Sequence, residues 1–585
     1  MATVLERRVD EGWSGDDRPR PVGPADAGAR GPVPSRRGAI AVIAGFGVLL
    51  AAFALHLAAY GAWVVDDAGI SMAYAVNLAH GHGLVAQPGA SPVEAFSDPL
   101  WVLLLAGFAR VGILGRTDLF GVAGYVAVVK GLALAFHGVV LACIGVAIRR
   151  ILTVVRGRPP ALGVFLAVWG ATGLLLAANP SYVVWMGSGL ENALFAAEVA
   201  AMAAVATVAL PVPDRRSLLA LGALAGAAAL TRPDGVVYAG IVVVVALLAD
   251  VPGIRRRAAL AGWGLLAFAA VFGTYLAFRS AYFGAWIPKT AVAKAQQLPS
   301  IAELARLDTV VRAWGWPLVA VAAVGGAVAC VRMVRCRNRD GLRVVTAGVA
   351  LIGAGLAAFV VLPVDWMAEL RFLTPVWPLL SAAAALGVAQ LADLAESRSV
   401  RVAIAVTLAL FAGLVIPGWR ERTQGFRASP TLPLCTVATR YGLHFERLAR
   451  VLEREPAATS VLLPDIGGVL LATDLRVVDL AGLADPTIAR FVRDQASADL
   501  ARYVLDDVRP TLVDIHGDWV ARSGLLRNPR FRADYVAVLG GEDWVRRDAV
   551  AATADPAATL ARLRAAGAAV ELPPATAACA GALFG

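Results

Sequence analysis

Residues 63–101 read WVVDDAGISMAYAVNLAHGHGLVAQPGASPVEAFSDPLW and follow directly on the first long apolar segment, Ala39–Ala62. Two adjacent carboxylates, Asp66 and Asp67, fall where a membrane helix should leave the bilayer. Ionisable groups at membrane depth are costly unless they face a cavity or a partner, so an acid pair here marks a functional site. One carboxylate of such a pair can take a proton while its neighbour orients it or holds a cation. The same pair also suits a helix N-terminus, where acids are favoured. Tyr74, Asn77 and His80 recur at helical spacing on one face, and Gly81-His82-Gly83 ends that helix. Beside a glycine turn, His80 and His82 suit either surface packing or contact with an acceptor or metal. The run then becomes rich in Gly and Pro and carries Glu94 and Asp98 back toward the membrane before Pro99.

Working outward, the whole chain has 585 residues, 58% of them hydrophobic and 16% charged, with a mean hydropathy of +0.68. That composition excludes an ordinary soluble protein, and repeated apolar segments make a polytopic helical membrane protein. A formal charge of +10 could suggest nucleic acid. The arginines, however, cluster in short loops between apolar segments, where they signal topology, and no nucleic-acid partner is expected.

Residues 1–37 lack apolar periodicity and read as a disordered cytoplasmic tail. The first apolar run is too long for a signal peptide and reads as an uncleaved span. If Pro99–Leu114 crossed the membrane, the basic loop at Arg149, Arg150, Arg156 and Arg158 would fall outside, so that stretch is read as an interfacial helix. The remaining basic loops then alternate correctly through Arg215, Arg255, Arg332 and Arg398. This gives a transmembrane domain over 38–418 with about eleven spans, an inside N-terminus and an outside C-terminus. Four further turns fall outside with the first loop: Asn179–Glu191, Arg232–Gly235, Ala281–Lys294 and Val364–Arg371. Their acids, bases and aromatics converge on one face, as an active site there requires.

From Trp419 the composition becomes that of a soluble domain, 419–585. Strand-like runs at Ser460–Leu463, Arg476–Leu480 and Thr511–Ile515, with a helical pattern at Glu446–Glu453, predict an extracytoplasmic α/β domain. Of five cysteines, Cys435 and Cys579 alone fall in it and are candidates for a disulfide in an oxidising compartment. No zinc spacing, Gly-rich phosphate loop or Ser/His/Asp order is present.

The order DDA, YAxN, GxG, PG, VE and SDPLW resembles the first extracytoplasmic loop of the polytopic GT-C glycosyltransferases, most closely the mycobacterial terminal arabinofuranosyltransferase type. RPDG at Arg232–Gly235, Tyr282–Lys294, Ser188–Glu191, Arg371–Pro375 and the outer-domain stretch Leu463–Ala489 extend the resemblance. It implies a GT-C-like fold in the plasma membrane that transfers a sugar from a polyprenyl-phosphate donor to a cell-wall glycan. Decaprenyl-phosphoryl-arabinofuranose would be the donor and arabinan the acceptor. Asp66 would accept the acceptor's proton, with Asp67 as orienter or metal contact. Arg371, Lys289 and Lys294 would stabilise the departing lipid phosphate, whose charge grows as the glycosidic bond breaks, and Arg232 would meet the same anion. Glu94 and Glu191 would hold sugar hydroxyls, with Tyr74, Asn77, His80 and Asp234 completing the substrate contacts. Mg²⁺ or Ca²⁺ is compatible with the acid pair but not demanded by it. Products of this type keep the donor's anomeric configuration, so a nucleophilic carboxylate remains open. Two departures bear on the sugar: Met72-Ala73-Tyr74-Ala75 stands where Arg-Tyr-Ala is expected, and Gln87 where Asn is frequent. A different lipid-linked sugar is the alternative within this fold. A transporter or scaffold is the alternative outside it, and it would favour ionisable groups near the bilayer midplane.

Overall fold

The computed structural model describes residues 35–568 apart from 117, 120, 211, 287–300, 394–397 and 540. Lys289, Lys294, Cys579 and residues 1–34 of the expected tail lie outside the described residues. Long uncharged runs can satisfy their backbone in lipid only as helices. Six helices are long and apolar enough to cross: Arg36–Ala58, Gly124–Arg156, Asn192–Ala209, Ile254–Phe283, Trp316–Arg335 and Arg339–Val361. Leu162–Ala178 and Pro180–Met186 reach that length only together and meet at 73°, where Pro180 brings no N–H to the ladder. Arg215–Thr231, Pro233–Leu248, Trp377–Asp393 and Arg398–Ala428 fall outside that length-and-apolarity test but pack in the same bundle. Pro99–Arg110, 12 residues long, rises only about 18 Å and cannot span about 30 Å of hydrocarbon.

Polar contacts define the two ends of this bundle. At one, Arg156 pairs with Asp393 and Arg343 with Asp250, each at 2.9 Å, and Asn338 Nδ2 donates to the Val154 carbonyl. These are the basic loops. At the other, Arg232 meets Glu191, Arg279 meets Glu94, and Asn192 Nδ2 donates to the Arg371 carbonyl. Small residues let the helices approach: a Cβ on Gly222 would lie 1.8 Å from the Gly264 carbonyl oxygen, and one on Gly325 2.2 Å from Gly387 Cα. The last helix runs past the composition change at 419 to Ala428. Trp419 and Arg422 hold it there by both donating to the Ala313 carbonyl.

The C-terminal domain is built on a five-stranded sheet: β1 (Ser460–Leu463), β2 (Arg476–Asp479), β3 (Leu512–Asp514), β4 (Tyr535–Leu539) and β5 (Asp543–Arg546). The order is β2-β1-β3-β5-β4. β1 is parallel to β2 and β3, and β5 is antiparallel to β3 and β4. The first three strands match the sequence expectation to within a residue at each end, whereas the β4–β5 hairpin was not expected. Because the chain leaves β1 for β2 on one side and returns to β3 on the other, the β1/β3 crevice is the switch point at which α/β sheets present ligand-binding loops. Leu462, Val504, Val513, Phe531 and Tyr535 fill the core on one face. Cys435 is disulfide-bonded, while Cys143, Cys330 and Cys336 are free.

This sheet docks onto the first loop. Val65 forms a lone antiparallel bridge with Pro433, Asp66 N–H donates to the Leu432 carbonyl, and Leu434 N–H donates to the Val64 carbonyl at 2.8 Å. β2 is an edge strand, and Gln87 completes its ladder. The Gln87 amide donates to the Val477 carbonyl and accepts from the Val477 N–H, both at 2.9 Å. Gln87 therefore joins the two domains, and the departure read as bearing on the sugar has this structural use. Arg116 adds an ion pair with Asp474.

Candidate active site

Asp66 opens the helix Asp66–Ala79 at this junction and is 3% exposed. The turn after β1 comes down onto it, with Gly467 N–H donating to Oδ2 at 3.1 Å and Gly468 N–H to Oδ1 at 2.6 Å. Only glycine fits there, since a Cβ on Gly467 would lie 1.9 Å from the Asp66 carbonyl oxygen, and one on Gly69 2.5 Å from Gly467. Burial, then the charges of Asp465 and Asp67, push the Asp66 carboxyl well above its ordinary range, against the two N–H bonds. Each oxygen keeps a second lone pair. The result is an oriented, buried carboxyl group with raised proton affinity. Asp67, next along, is partly exposed.

A layer of buried acids and arginines packs with this helix. Ser71 Oγ donates to both oxygens of Asp98, at 3.0 and 2.9 Å. Burial and neighbouring Glu191 push Asp98 up to about 8. Arg232 spans Glu191 at 2.6 Å and Asp234 at 2.9 Å. Arg371 pairs with Asp365 at 2.5 Å and reaches Met367 Sδ, and both guanidinium groups lie 4.9 Å from the Phe372 ring. Glu94 accepts from the Tyr275 hydroxyl at 2.6 Å and pairs with Arg279 at 2.8 Å. Lys130 Nζ ties the Trp63 and Gly187 carbonyls at 2.7 Å each, joining the first loop to the turn that carries Glu191.

Several expected contacts are thus brought together in a different state from that expected. Arg232 and Arg371 are buried and already paired, so neither stands as an open cation. Tyr74 donates to the Val93 carbonyl at 2.5 Å and Asn77 to the Val85 carbonyl at 3.0 Å, so both shape the loop. His80 is exposed at the helix C-cap, away from the buried layer. No group of three or more His, Cys, Asp or Glu suited to a metal occurs among the described residues, and the Asp66 oxygens face N–H donors, an arrangement for an anion. Sequence reasoning missed Asp98 as a site residue, and with it Arg279, Lys130, Asp465 and His516. Asp98 alone carried a local signal, as the acid preceding Pro99 in the quoted run.

Comparison with known proteins follows this geometry. Residues 437–563 match the pattern of a domain of unknown function, DUF8728. Over 237 residues the chain is 30% identical to the terminal β-(1→2)-arabinofuranosyltransferase of Mycobacterium tuberculosis, covering 40% of this chain and 35% of that protein. The architecture matches the oligosaccharyltransferase of Archaeoglobus fulgidus in its apo form with a TM-score of 0.50 at 12% identity, over 84% of this chain and 72% of that one. The same enzyme tethered to an acceptor peptide with an NVT sequon gives the same values. The chain therefore has the GT-C fold, with a multi-pass bundle and a sheet-containing C-terminal domain.

Proposed function

We propose that this GT-C chain is a membrane glycosyltransferase that moves arabinofuranose from a polyprenyl-phosphate donor to an arabinan-like cell-wall glycan on the outer face of the plasma membrane. The observation that carries this reading is the position of Asp66, an oriented, desolvated carboxylate at the seam where the bundle end meets the outer domain. In this reading a lipid-linked donor approaches that seam from the bilayer and a glycan from the water. The partial relative named as an arabinofuranosyltransferase supports the sugar.

In this reading the bond from the anomeric carbon to the lipid phosphate breaks first and the acceptor oxygen bonds that carbon from the face the phosphate leaves, which retains its configuration, while Asp66 takes the acceptor hydroxyl's proton. Asp67, the more exposed acid, faces the donor sugar. The Ser71–Asp98 and Glu191–Arg232–Asp234 contacts hold the Asp66 helix, and Glu94 fixes the first loop against the helix that carries Arg279. Lys289 and Lys294 are proposed to meet the departing phosphate, because Arg232 and Arg371 are engaged by acids.

The test is transfer from a panel of labelled polyprenyl-phosphate sugars in membranes containing wild type or Asp66→Asn. Transfer from the arabinofuranose donor by wild type, reduced about 10²–10⁴-fold in the variant, is expected. Unchanged transfer by Asp66→Asn removes that residue from the chemistry, and preference for another donor replaces the sugar.

A further inference from the structure

Across the seam from Asp66, the carboxyl ends of β1 and β3 carry a side-chain chain that the reaction above does not use. His516, two residues past β3, donates from Nε2 to Asp465 Oδ2 at 2.8 Å and from Nδ1 to Asp514. Asp514 is fully buried beside Asp543, which Arg440 and His444 hold at 3.1 and 3.2 Å. Tyr441 stacks flat on the imidazole, with centroids 4.9 Å apart and planes 3° apart. Burial opposes a charge on His516, but Asp465 and Asp514 outweigh it and push the ring up to about 10, so it is an imidazolium at neutral pH. The exposed end of this chain is Asp465, whose side chain is 28% exposed.

Three features make Asp465 more than a solvated acid. It stands two residues before Gly467, in the turn that grips Asp66, and its charge is felt by Asp66 next after burial. It lies at the switch-point crevice, where sheets of this kind present ligand-binding loops. It is held near Asp66 despite like-charge repulsion, by His516, which is itself anchored through Asp514 to the domain core. A polyol offers the hydroxyl donors that such a carboxylate accepts.

We propose that Asp465 is the residue through which the outer domain reads the acceptor, taking hydroxyl groups of the terminal acceptor sugar, and that His516 is its positioning residue. Donor and acceptor sides are separated by origin. Asp66 and Asp67 rise from the membrane domain, where the donor's lipid is dissolved, while Asp465 descends from the water side, from which a glycan arrives. The proposal rests on the glycosyl-transfer reading for its substrate class.

The test uses the full-length protein in lipid nanodiscs, with the donor that wild type uses and a linear oligo-arabinofuranoside as acceptor. Asp465→Asn is expected to raise the acceptor KM about 10–100-fold, the loss of a charged hydrogen bond, while the donor KM stays within twofold. His516→Gln, which keeps one hydrogen bond but no charge, shifts the acceptor KM in the same direction by less. Asp518→Asn, an exposed neighbour on the same loop, is the control for loop damage. Equal effects on both KM values, or an acceptor KM within twofold of wild type, overturn the proposal. Calorimetric titration of the same oligosaccharide without donor separates the two readings. Binding by wild type that Asp465→Asn abolishes upholds the subsite even where transfer fails, and no binding by wild type overturns it.

Discussion

Two residues carry opposite lessons about protons. Asp66 takes one N–H on each oxygen, so Asp66→Asn keeps one acceptor but turns its amide N–H toward a glycine N–H. That mismatch is expected to cost about 1–3 kcal/mol. A melting curve of the full-length protein should therefore fall further with Asp66→Asn than with Asp67→Asn, whose side chain is partly exposed; equal losses would mean the two acids share the docking role. Asp98 makes a pH prediction. Its folded carboxyl keeps a proton up to about pH 8 through burial and Glu191, against Ser71 and Arg232, while the unfolded chain releases it near 3.8. Between those values unfolding releases a proton, so stability contributed by Asp98 is complete below the unfolded value and is lost as pH rises toward 8. Asp98→Asn has no proton to lose, and its Tm should decline less than that of wild type between pH 5 and 9. Parallel profiles would show that Asp98 does not titrate in that window. The place of Asp66 at the start of a helix beside the bundle was legible from two adjacent acids after the first apolar run. The glycine partners of Asp66 were not, because Gly467 lies 401 residues away and no local spacing encodes such a pairing.

Elements were legible where one segment decides its own form. The three parallel strands were visible as short β-branched runs, and the charge pattern that argued against a crossing at Pro99–Leu114 agrees with a helix there of only 12 residues. The β4–β5 hairpin was missed although Tyr535–Leu539 is a β-branched and aromatic run closed by a glycine pair, a signal present but not taken. What no segment reveals alone is the turn after β1. The Gly467-Gly468 pair looks like an ordinary strand-to-helix turn, yet its first glycine is required by a neighbour in another domain. Gly467→Ala puts a methyl 1.9 Å from the Asp66 carbonyl oxygen, a backbone atom that cannot rotate away. Overpacking of this kind costs about 1–3 kcal/mol, expressed here as undocking of the outer domain. Limited proteolysis should cut Gly467→Ala between the last bundle helix and β1 faster than wild type, with the isolated sheet domain remaining resistant. Unchanged cleavage would mean the seam yields without separating.

At the scale of the molecule, the fold gathers acids, buried arginines and the sheet at one end of the bundle and the basic loops at the other, an asymmetry of the kind the positive-inside bias acts on. Arg156–Asp393, Arg343–Asp250 and the Asn338 contact with Val154 gather the basic loops at one end. The acid pair, the buried Arg232 layer and the sheet stand at the other. We propose that the basic end faces the cytoplasm. Cys336 is a native reporter of this, because it is free and exposed in the turn between Trp316–Arg335 and Arg339–Val361, at the basic end. In a Cys143→Ser, Cys330→Ser background, a membrane-impermeant maleimide should leave Cys336 unlabelled in intact spheroplasts and label it in inverted vesicles. Labelling in spheroplasts would put the sheet and Asp66 on the cytoplasmic side. A polyprenyl-phosphate sugar used at the outer surface would then never meet Asp66, so the orientation decides whether the proposed chemistry has its substrate at all.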